Sequence, residues 1–482
     1  MTSANSVRPL PSEASAGLPG AILSLLLALM GAMMATAAVF FPVGTGAALG
    51  GLLSIGLSWL MRRRAWLLLC GLVIPAIGTG HLLRFQIGPS ALIEPSLLVV
   101  TVWASGFFLG LFFKKDLSLW RLPLVGPFAL FWFAILLSVI NSVSVLHWAR
   151  GLLEGVLGFA FFVFPYVYLR NRKQLGVCLR VLTWLAVITV IFAVIQYSAF
   201  DSFQSLFPLM YAKPEIEFAE HWYTEGRMAG HWVHPSDFGS LLNMVAPIVL
   251  YSWLSARKRR VVPLLAFLII AAGIFLTATR TPIIAFCLSS VLLCFLMRGP
   301  RAGLLVMTGA AILLLVGPYL FSLSSQRFDL SDEGNLGTVQ QRFLLWSEAA
   351  SFYLEHPVVG IGARNFGDLT EIDPSLPTHN VYLETAAETG TIGLLAFLYL
   401  LYRVMRVDFG RGKTPLPSEL QNLRYAFLCS SLAIVVESLT DNDFYVWQVW
   451  CLFLLIRGLS AAIAARPEAF MRNGMAATAG EN

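Results

Sequence analysis

Charge is what this sequence has least of. Only 12% of its 482 residues are Asp, Glu, Lys or Arg, and six are lysine. Soluble domains carry roughly 25% charged residues, so the chain has about half the charge that a solvated surface needs. A free-standing soluble domain is excluded. Cysteine is also scarce: Cys70, Cys178, Cys287, Cys294, Cys429 and Cys451 all lie in or beside apolar runs, with no C-x-x-C among them. They read as small core hydrophobes, which argues against a disulfide or metal framework. The sequence shows no internal repeat and no low-complexity tract. Its start lacks a basic segment and an A-x-A site before the first apolar run, so no cleaved signal peptide is expected.

What the chain does have is apolar length. Hydrophobic residues make up 57% of it and the mean hydropathy is +0.74. A membrane span needs about 20 apolar residues, and about fourteen runs qualify. They lie near 18–41, 43–61, 65–80, 95–113, 122–140, 152–169, 175–199, 237–255, 261–279, 282–297, 302–323, 389–405, 423–440 and 444–463. The second and third are Gly-rich or short, so twelve to fourteen spans are expected. The fold class is therefore an all-α polytopic membrane protein, with one helical bundle over 18–465 between disordered tails at 1–17 and 466–482.

Basic clusters at Arg62–Arg64, Lys114–Lys115, Arg170–Lys173, Arg257–Arg260, Arg298/Arg301, Arg403–Lys413 and Arg466/Arg472 set the orientation. With fourteen spans and a cytoplasmic N-terminus, all of them fall on the cytoplasmic side, and the C-terminus joins them. The basic pI of 9.0 thus reports topology and implies no nucleic acid. Two long loops, about 200–236 and 324–388, then face outward, and loops of that length are usually functional or disordered. In the second, Val339, Phe343, Trp346, Ala350 and Tyr353 form an apolar stripe, predicting a helix lying on the membrane surface and stopped by His356-Pro357.

Three outward-facing stretches could carry chemistry. "TEGRMAGHWVHPSDFGSLL" holds Arg227; its His231, His234 and Asp237 could be drawn as metal ligands, but no second cluster completes a shell, so no metal is expected. "FLTATRTPIIAF" places Arg280 in a short turn between two spans, where a charge must anchor the interface, pair, or serve a ligand. "PTHNVYLETAAETGTIGLLAFLYLLYR" puts His379 before a helix that Thr378 or Asn380 could cap. Glu384 and Glu388 follow on one face, ahead of Gly390 and Gly393, which would permit close packing. Arginine's planar fork suits phosphate oxygens, and a histidine near neutrality can take a proton from a hydroxyl. An anion clamp and a base at a lipid interface suit transfer from a lipid-linked diphosphate.

"RFLLWSEAASFYLEHPVVGIGARNF" followed by "THNVYLETAAETGTIGLLAFLYLL" resembles the hallmark region of the bacterial O-antigen ligase/polymerase superfamily, and the likeness runs in order over about 220–405. The resemblance implies inverting glycosyl transfer from an undecaprenyl-diphosphate-linked glycan to an acceptor sugar hydroxyl, on the periplasmic face of the inner membrane and without a cofactor. The acceptor would be a glycan chain or lipid A–core. It implies that Arg227 and Arg280 hold the diphosphate and that His379 activates the acceptor. Arg342, Asn380, Glu384 and Glu388 would be further substrate-binding positions, with Trp346, Gly360 and Gly362 structural. A serine and a glycine often flank the second arginine in this family, whereas this chain has "ATRTP". A polysaccharide transporter or flippase is the alternative; it would place charges at the bilayer midplane in repeated halves, which the sequence lacks. A non-catalytic scaffold would not need Arg227, Arg280 and His379 to converge.

Overall fold

The computed structural model describes residue 66 and residues 68–78, 85–87, 91–93, 95–113, 124–199, 222, 225–230, 232, 234–256, 260–309, 333–372, 377–407 and 416–471. The expected spans at 18–41 and 43–61, the tail at 1–17, His231 and most of the first long loop lie outside these residues. Among the described residues the regular elements are helices, apart from one antiparallel hairpin, β1 (Phe85–Ile87) and β2 (Ala91–Ile93), in register Phe85 to Ile93. The all-α expectation missed that hairpin, because three residues per strand leave no periodic signal.

The helices are α1 (Pro95–Phe113), α2 (Val125–Leu137), α3 (Val145–Tyr168), α4 (Arg172–Ser198), α5 (Pro235–Ser255), α6 (Val261–Leu276) and α7 (Arg280–Arg298). After them come α8 (Glu333–Glu355), α9 (Phe366–Leu369), α10 (Val381–Arg406), α11 (Ser418–Glu437), α12 (Trp447–Ala465) and α13 (Pro467–Met471). Six of these, α3, α4, α5, α7, α10 and α12, are long and apolar enough to cross a membrane. Side-chain caps start several of them: Ser144 Oγ accepts from His147 N at 3.3 Å, and Asn171 Oδ1 from Gln174 N at 2.9 Å. Within the tail expected at 466–482, Pro467–Met471 forms α13 and packs Phe470 into the core, while 472–482 lie outside the described residues.

α12 and α5 are the most enclosed helices. α12 lies against α3 through two close approaches: a β-carbon on Gly158 would stand 2.2 Å from Trp450 Nε1, and one on Gly458 would stand 2.3 Å from the Phe162 carbonyl oxygen. Trp103, Phe107, Phe161 and Phe164 fill the space behind this pair with rings 5.0 to 6.0 Å apart. α4 and α7 turn Trp184, Ile188, Ile195, Leu288 and Phe295 outward, the apolar exposure expected of a lipid-facing surface. Helices α3, α5, α7, α10 and α12 all begin at one end of the bundle. At the other end Arg170, Arg298, Arg403, Arg406 and Arg466 gather, and Arg466 Nη2 bonds the Tyr166 carbonyl between the closing turns of α12 and α3.

α8 packs on α10 through Leu345 and Ala349, with Phe366 and Ala387 completing the cluster. Of the expected stripe, Trp346, Ala350 and Tyr353 are half-buried beside this contact and Phe343 is 60% exposed, so the packed face lies next to the stripe.

Candidate functional site

The site-bearing end is organised by a break. Gly390 adopts φ 65° and ψ −168° inside α10, a conformation open to glycine but not to residues with a β-carbon. The break cuts the helical bonds that would link the Ala387 and Glu388 carbonyls to the N–H groups of Thr391 and Ile392. The Pro357–Gly362 turn supplies replacements on both sides. Ile361 N and Gly362 N donate to the two carbonyls at 3.0 and 2.9 Å, and Thr391 N and Ile392 N donate to the Pro357 and Val358 carbonyls at 2.8 and 3.4 Å. Gly390 therefore marks a docking joint, a more specific role than the close packing expected for it.

Above the break, Asn380 caps α10, its Oδ1 accepting from Tyr382 N and Leu383 N at 3.0 Å each, and its Nδ2 donating to the Leu439 carbonyl at 3.0 Å. Glu384 is buried and accepts from Thr378 N at 3.1 Å, Thr378 Oγ1 at 2.7 Å and the Asn442 amide. Glu388 is buried and accepts from Phe366 N at 3.1 Å and Tyr445 Oη at 2.8 Å. Asn380 and Glu384, expected to contact substrate, thus hold the Thr378–Asn380 segment against the Ser438–Tyr445 loop, while Glu388 holds that loop against α9. Each answers the need of a buried polar group for partners.

That clamping shapes His379. Its backbone sits at φ 52°, unusual for a residue with a β-carbon, and its Nδ1 lies 3.4 Å from Asp441 Oδ1. Burial pushes the Asp441 carboxyl up, but the His379 hydrogen bond and the charges of His379 and Arg342 outweigh it and hold the group below the usual carboxylate range. Arg342, on α8, is half-buried, and its Nε has no hydrogen-bond partner among the described residues. Trp346, one turn along, donates from Nε1 to the Thr378 carbonyl at 2.8 Å and so ties α8 to the His379 segment. The His234 ring lies 6.3 Å from that of His379 and 4.9 Å from Trp222. Burial, reinforced by Arg227, pushes His234 down to about 3 against the opposing pull of Asp441, so it is neutral near pH 7.

Arg227 is buried and fully engaged, not the solvated loop residue that its surroundings in sequence suggest. It donates from Nε to the Thr277 carbonyl at 3.3 Å and from Nη2 to Thr279 Oγ1 at 2.9 Å. It also lies 4.5 Å over the Trp222 ring and 3.7 Å from Glu225. The turn it grips runs from α6 through Ala278, at φ 49°, to Arg280, the first residue of α7. Arg280 itself is exposed. Thr281 Oγ1, next in chain, meets Thr440 Oγ1 at 2.9 Å, one residue before Asp441. The structure thus links the Arg227–Arg280 element to the His379–Asp441 pair through Thr279, Thr281 and Thr440. Among the described residues no three His, Cys, Asp or Glu side chains gather in a metal-ligand group.

Asp441 and Trp222 escaped the sequence reading, which weighed His234 only as a metal ligand. The signal for Asp441 was the "TDND" run ahead of an aromatic span, since an acid at a membrane edge needs a partner.

Comparison with known proteins gives two matches. Residues 265–398 match the family model described as O-antigen ligase. A Rickettsia conorii (strain ATCC VR-613 / Malish 7) protein, provisionally named a polysaccharide ligase, is 26% identical over 158 residues, 29% of this chain and 36% of that protein. The chain therefore spans about a third of that relative's length.

Proposed function

We propose, from the premise that this chain belongs to the O-antigen ligase superfamily through residues 265–398, that it transfers a glycan from a lipid-linked diphosphate to an acceptor sugar hydroxyl. The reaction takes place at the outer, periplasmic face of the bacterial inner membrane, opposite the basic end of the bundle, and the donor lipid is undecaprenol. The observation that carries the proposal is the linkage of Arg227, Arg280, His379 and Asp441 at one end of the bundle, where α5, α7, α10 and α12 all begin. Helix N-termini carry partial positive charge and favour phosphate.

In the proposed reaction Asp441 fixes the His379 tautomer with Nδ1–H toward the carboxylate, leaving Nε2 as the base. Nε2 takes the proton of the acceptor hydroxyl as its oxygen attacks the anomeric carbon. The bond from that carbon to the diphosphate oxygen breaks on the opposite face, so the configuration inverts. Arg280 takes the negative charge as it develops on the leaving diphosphate. Arg227 grips the turn that presents Arg280 and adds its own charge from behind, and Arg342 is the third cation facing the substrate. Asn380 and Glu384 position these groups, and Glu388 ties the Ser438–Tyr445 loop to α9. His234 stays neutral, so it adds no competing charge beside His379.

One feature favours a transporter: the break in α10, since transporters place ligands at the ends of discontinuous helices. Here the turn at Pro357–Gly362 takes up the freed backbone groups, which leaves transfer as the stronger reading. Reconstituted protein given purified lipid-diphosphate-linked glycan and an acceptor should release free lipid diphosphate and lengthen the acceptor. Release of neither product would sink the proposal. A deletion strain then separates the acceptors: single repeat units left on lipid indicate a polymerase, and full-length chains missing from the core indicate a ligase.

A further inference from the structure

A cavity opens between α2, α3, α10 and α12, lined mainly by apolar and aromatic side chains with a few polar groups. Neither His379 nor Asp441 lines it, and Arg227 and Arg280 do not either. Four aromatic side chains on its wall form a continuous chain: Phe131 to Phe397 at 5.6 Å, Phe397 to Phe444 at 5.8 Å and Phe444 to Trp450 at 5.4 Å. Arg364 and Glu388 form its polar end.

Arg364 is set up in an unusual way. It is one of three described non-glycine residues with positive φ, at 63°, and the other two, Ala278 and His379, flank the candidate centre. Held strain of this kind costs of order 1–3 kcal/mol and concentrates at functional sites. The guanidinium stacks 4.8 Å from the Tyr445 ring, and its Nη2 donates to the Glu154 carboxylate and to the Tyr445 carbonyl. Those bonds leave Nε and Nη1 for a ligand. The Glu388 carboxylate, held by Phe366 N, Tyr445 Oη and the Arg364 backbone, keeps one acceptor position of its four.

We propose that this cavity binds one neutral sugar ring of the acceptor glycan, its apolar face on the aromatic chain and its hydroxyls on Arg364 and Glu388. The proposal rests on the glycosyl-transfer reading above. A neutral ring suits the cavity because its charged groups already face one another, Glu154 pairing with both Arg150 and Arg364 and Glu388 lying beside Arg364. A hydrocarbon tail would strand the polar end without partners. The acceptor is the party held here because the Thr440–Val446 loop carries both Asp441, which pairs with His379, and Phe444 and Tyr445, which line the cavity.

The test uses the full chain in lipid nanodiscs free of glycoside detergent, with methyl glycosides of glucose, galactose, rhamnose and N-acetylglucosamine as probes. Binding is read by saturation-transfer NMR, which needs no turnover. At least one glycoside should bind, and Phe131→Leu and Thr385→Trp should each weaken it at least tenfold, while His379→Ala leaves it unchanged. No signal from any probe overturns the proposal, as does a signal that neither cavity variant alters. Co-purified phospholipid that disappears in Thr385→Trp overturns it in favour of an acyl chain. If Thr385→Trp does not accumulate, Phe131→Leu, which keeps the wall apolar, decides alone. A protein that binds glycoside through the cavity yet transfers nothing sinks the transfer reading and leaves the sugar site standing.

Discussion

Gly360 and Gly390 face each other across the break in α10, each occupying the space that the other's chain segment leaves. A β-carbon on Gly360 would lie 2.2 Å from the Glu388 carbonyl carbon, and one on Gly390 would lie 2.3 Å from that of Val358. Both have positive φ, at 72° and 65°. Two glycines 30 positions apart thus make one joint, and the joint places the His379 segment above it.

Substituting either glycine should therefore disrupt the site from a distance. Gly390→Ala meets both backbone strain and main-chain contact that cannot yield, a combination worth several times the about 1 kcal/mol of an ordinary left-handed alanine. Thermal denaturation in detergent should show Gly390→Ala and Gly360→Ala each losing at least about 3 kcal/mol, with Gly110→Ala, whose β-carbon meets nothing within 4 Å, as the neutral control. Equal stability of all three would dissolve the joint.

Arg280 distinguishes an anchor from a clamp. Lysine keeps the charge and the long stem but loses the fork that bonds two phosphate oxygens at once. Losing one charge-assisted bond of about 1.5–3 kcal/mol in the transition state slows transfer roughly tenfold to a hundredfold. Arg280→Lys should accumulate normally and transfer at that reduced rate in the reconstituted assay, and Arg280→Ala should be nearly inactive. Wild-type turnover in the lysine variant would reduce Arg280 to an interface anchor.

The His379–Asp441 pair predicts a split between rate and binding. Asp441→Asn keeps the shape but removes the charge that orients and supports the imidazole. Its kcat should fall at least about tenfold with donor KM nearly unchanged, and the pH at which activity half-appears should shift downward, because a histidine without its carboxylate is a weaker base. His379→Ala should abolish transfer at every pH. An unshifted pH profile in Asp441→Asn would show that the aspartate only braces the loop.

His234 gives the fold a pH dependence whose sign follows from its depressed pKa. Folded His234 titrates near 3, against about 6.5 when unfolded. Between those values the unfolded chain binds the extra proton, so stability is complete above about pH 6.5 and declines as the pH falls toward 3. Thermal midpoints taken from pH 7 to 4.5 should fall for the wild type and fall less steeply for His234→Gln. Parallel curves would mean that His234 takes up its proton at the same pH folded as unfolded.

Orientation can be tested with a membrane-impermeant thiol reagent. The six native cysteines are buried, so the background is low. Intact spheroplasts should label Val358→Cys, at the exposed joint, and should leave Arg301→Cys, at the opposite basic end, unlabelled until lysis. The reverse pattern would turn the site toward the cytoplasm and remove the proposed reaction with it.

The sequence by itself determined the class and most of the described apolar helices, and it singled out candidate residues for the chemistry. Charge scarcity and 20-residue apolar runs are local properties, and lipid demands helices whatever their neighbours. Arg227, Arg280 and His379 were legible for the same reason, since charge beside a membrane span is costly and has few explanations. Contacts between distant segments were not legible. The partners of the acids at Glu384 and Glu388, namely Thr378, Phe366, Asn442 and Tyr445, came from the fold, and Asp441 stood out only once folding brought it 62 positions back to His379. Periodicity marked the apolar side of α8 without its partner, because a stripe shows that a face is apolar, not what covers it. The break at Gly390 went unseen because a glycine in a helical run fits a helix as well as a joint, and only the turn at Pro357–Gly362, by satisfying the severed backbone, made the joint the stable choice.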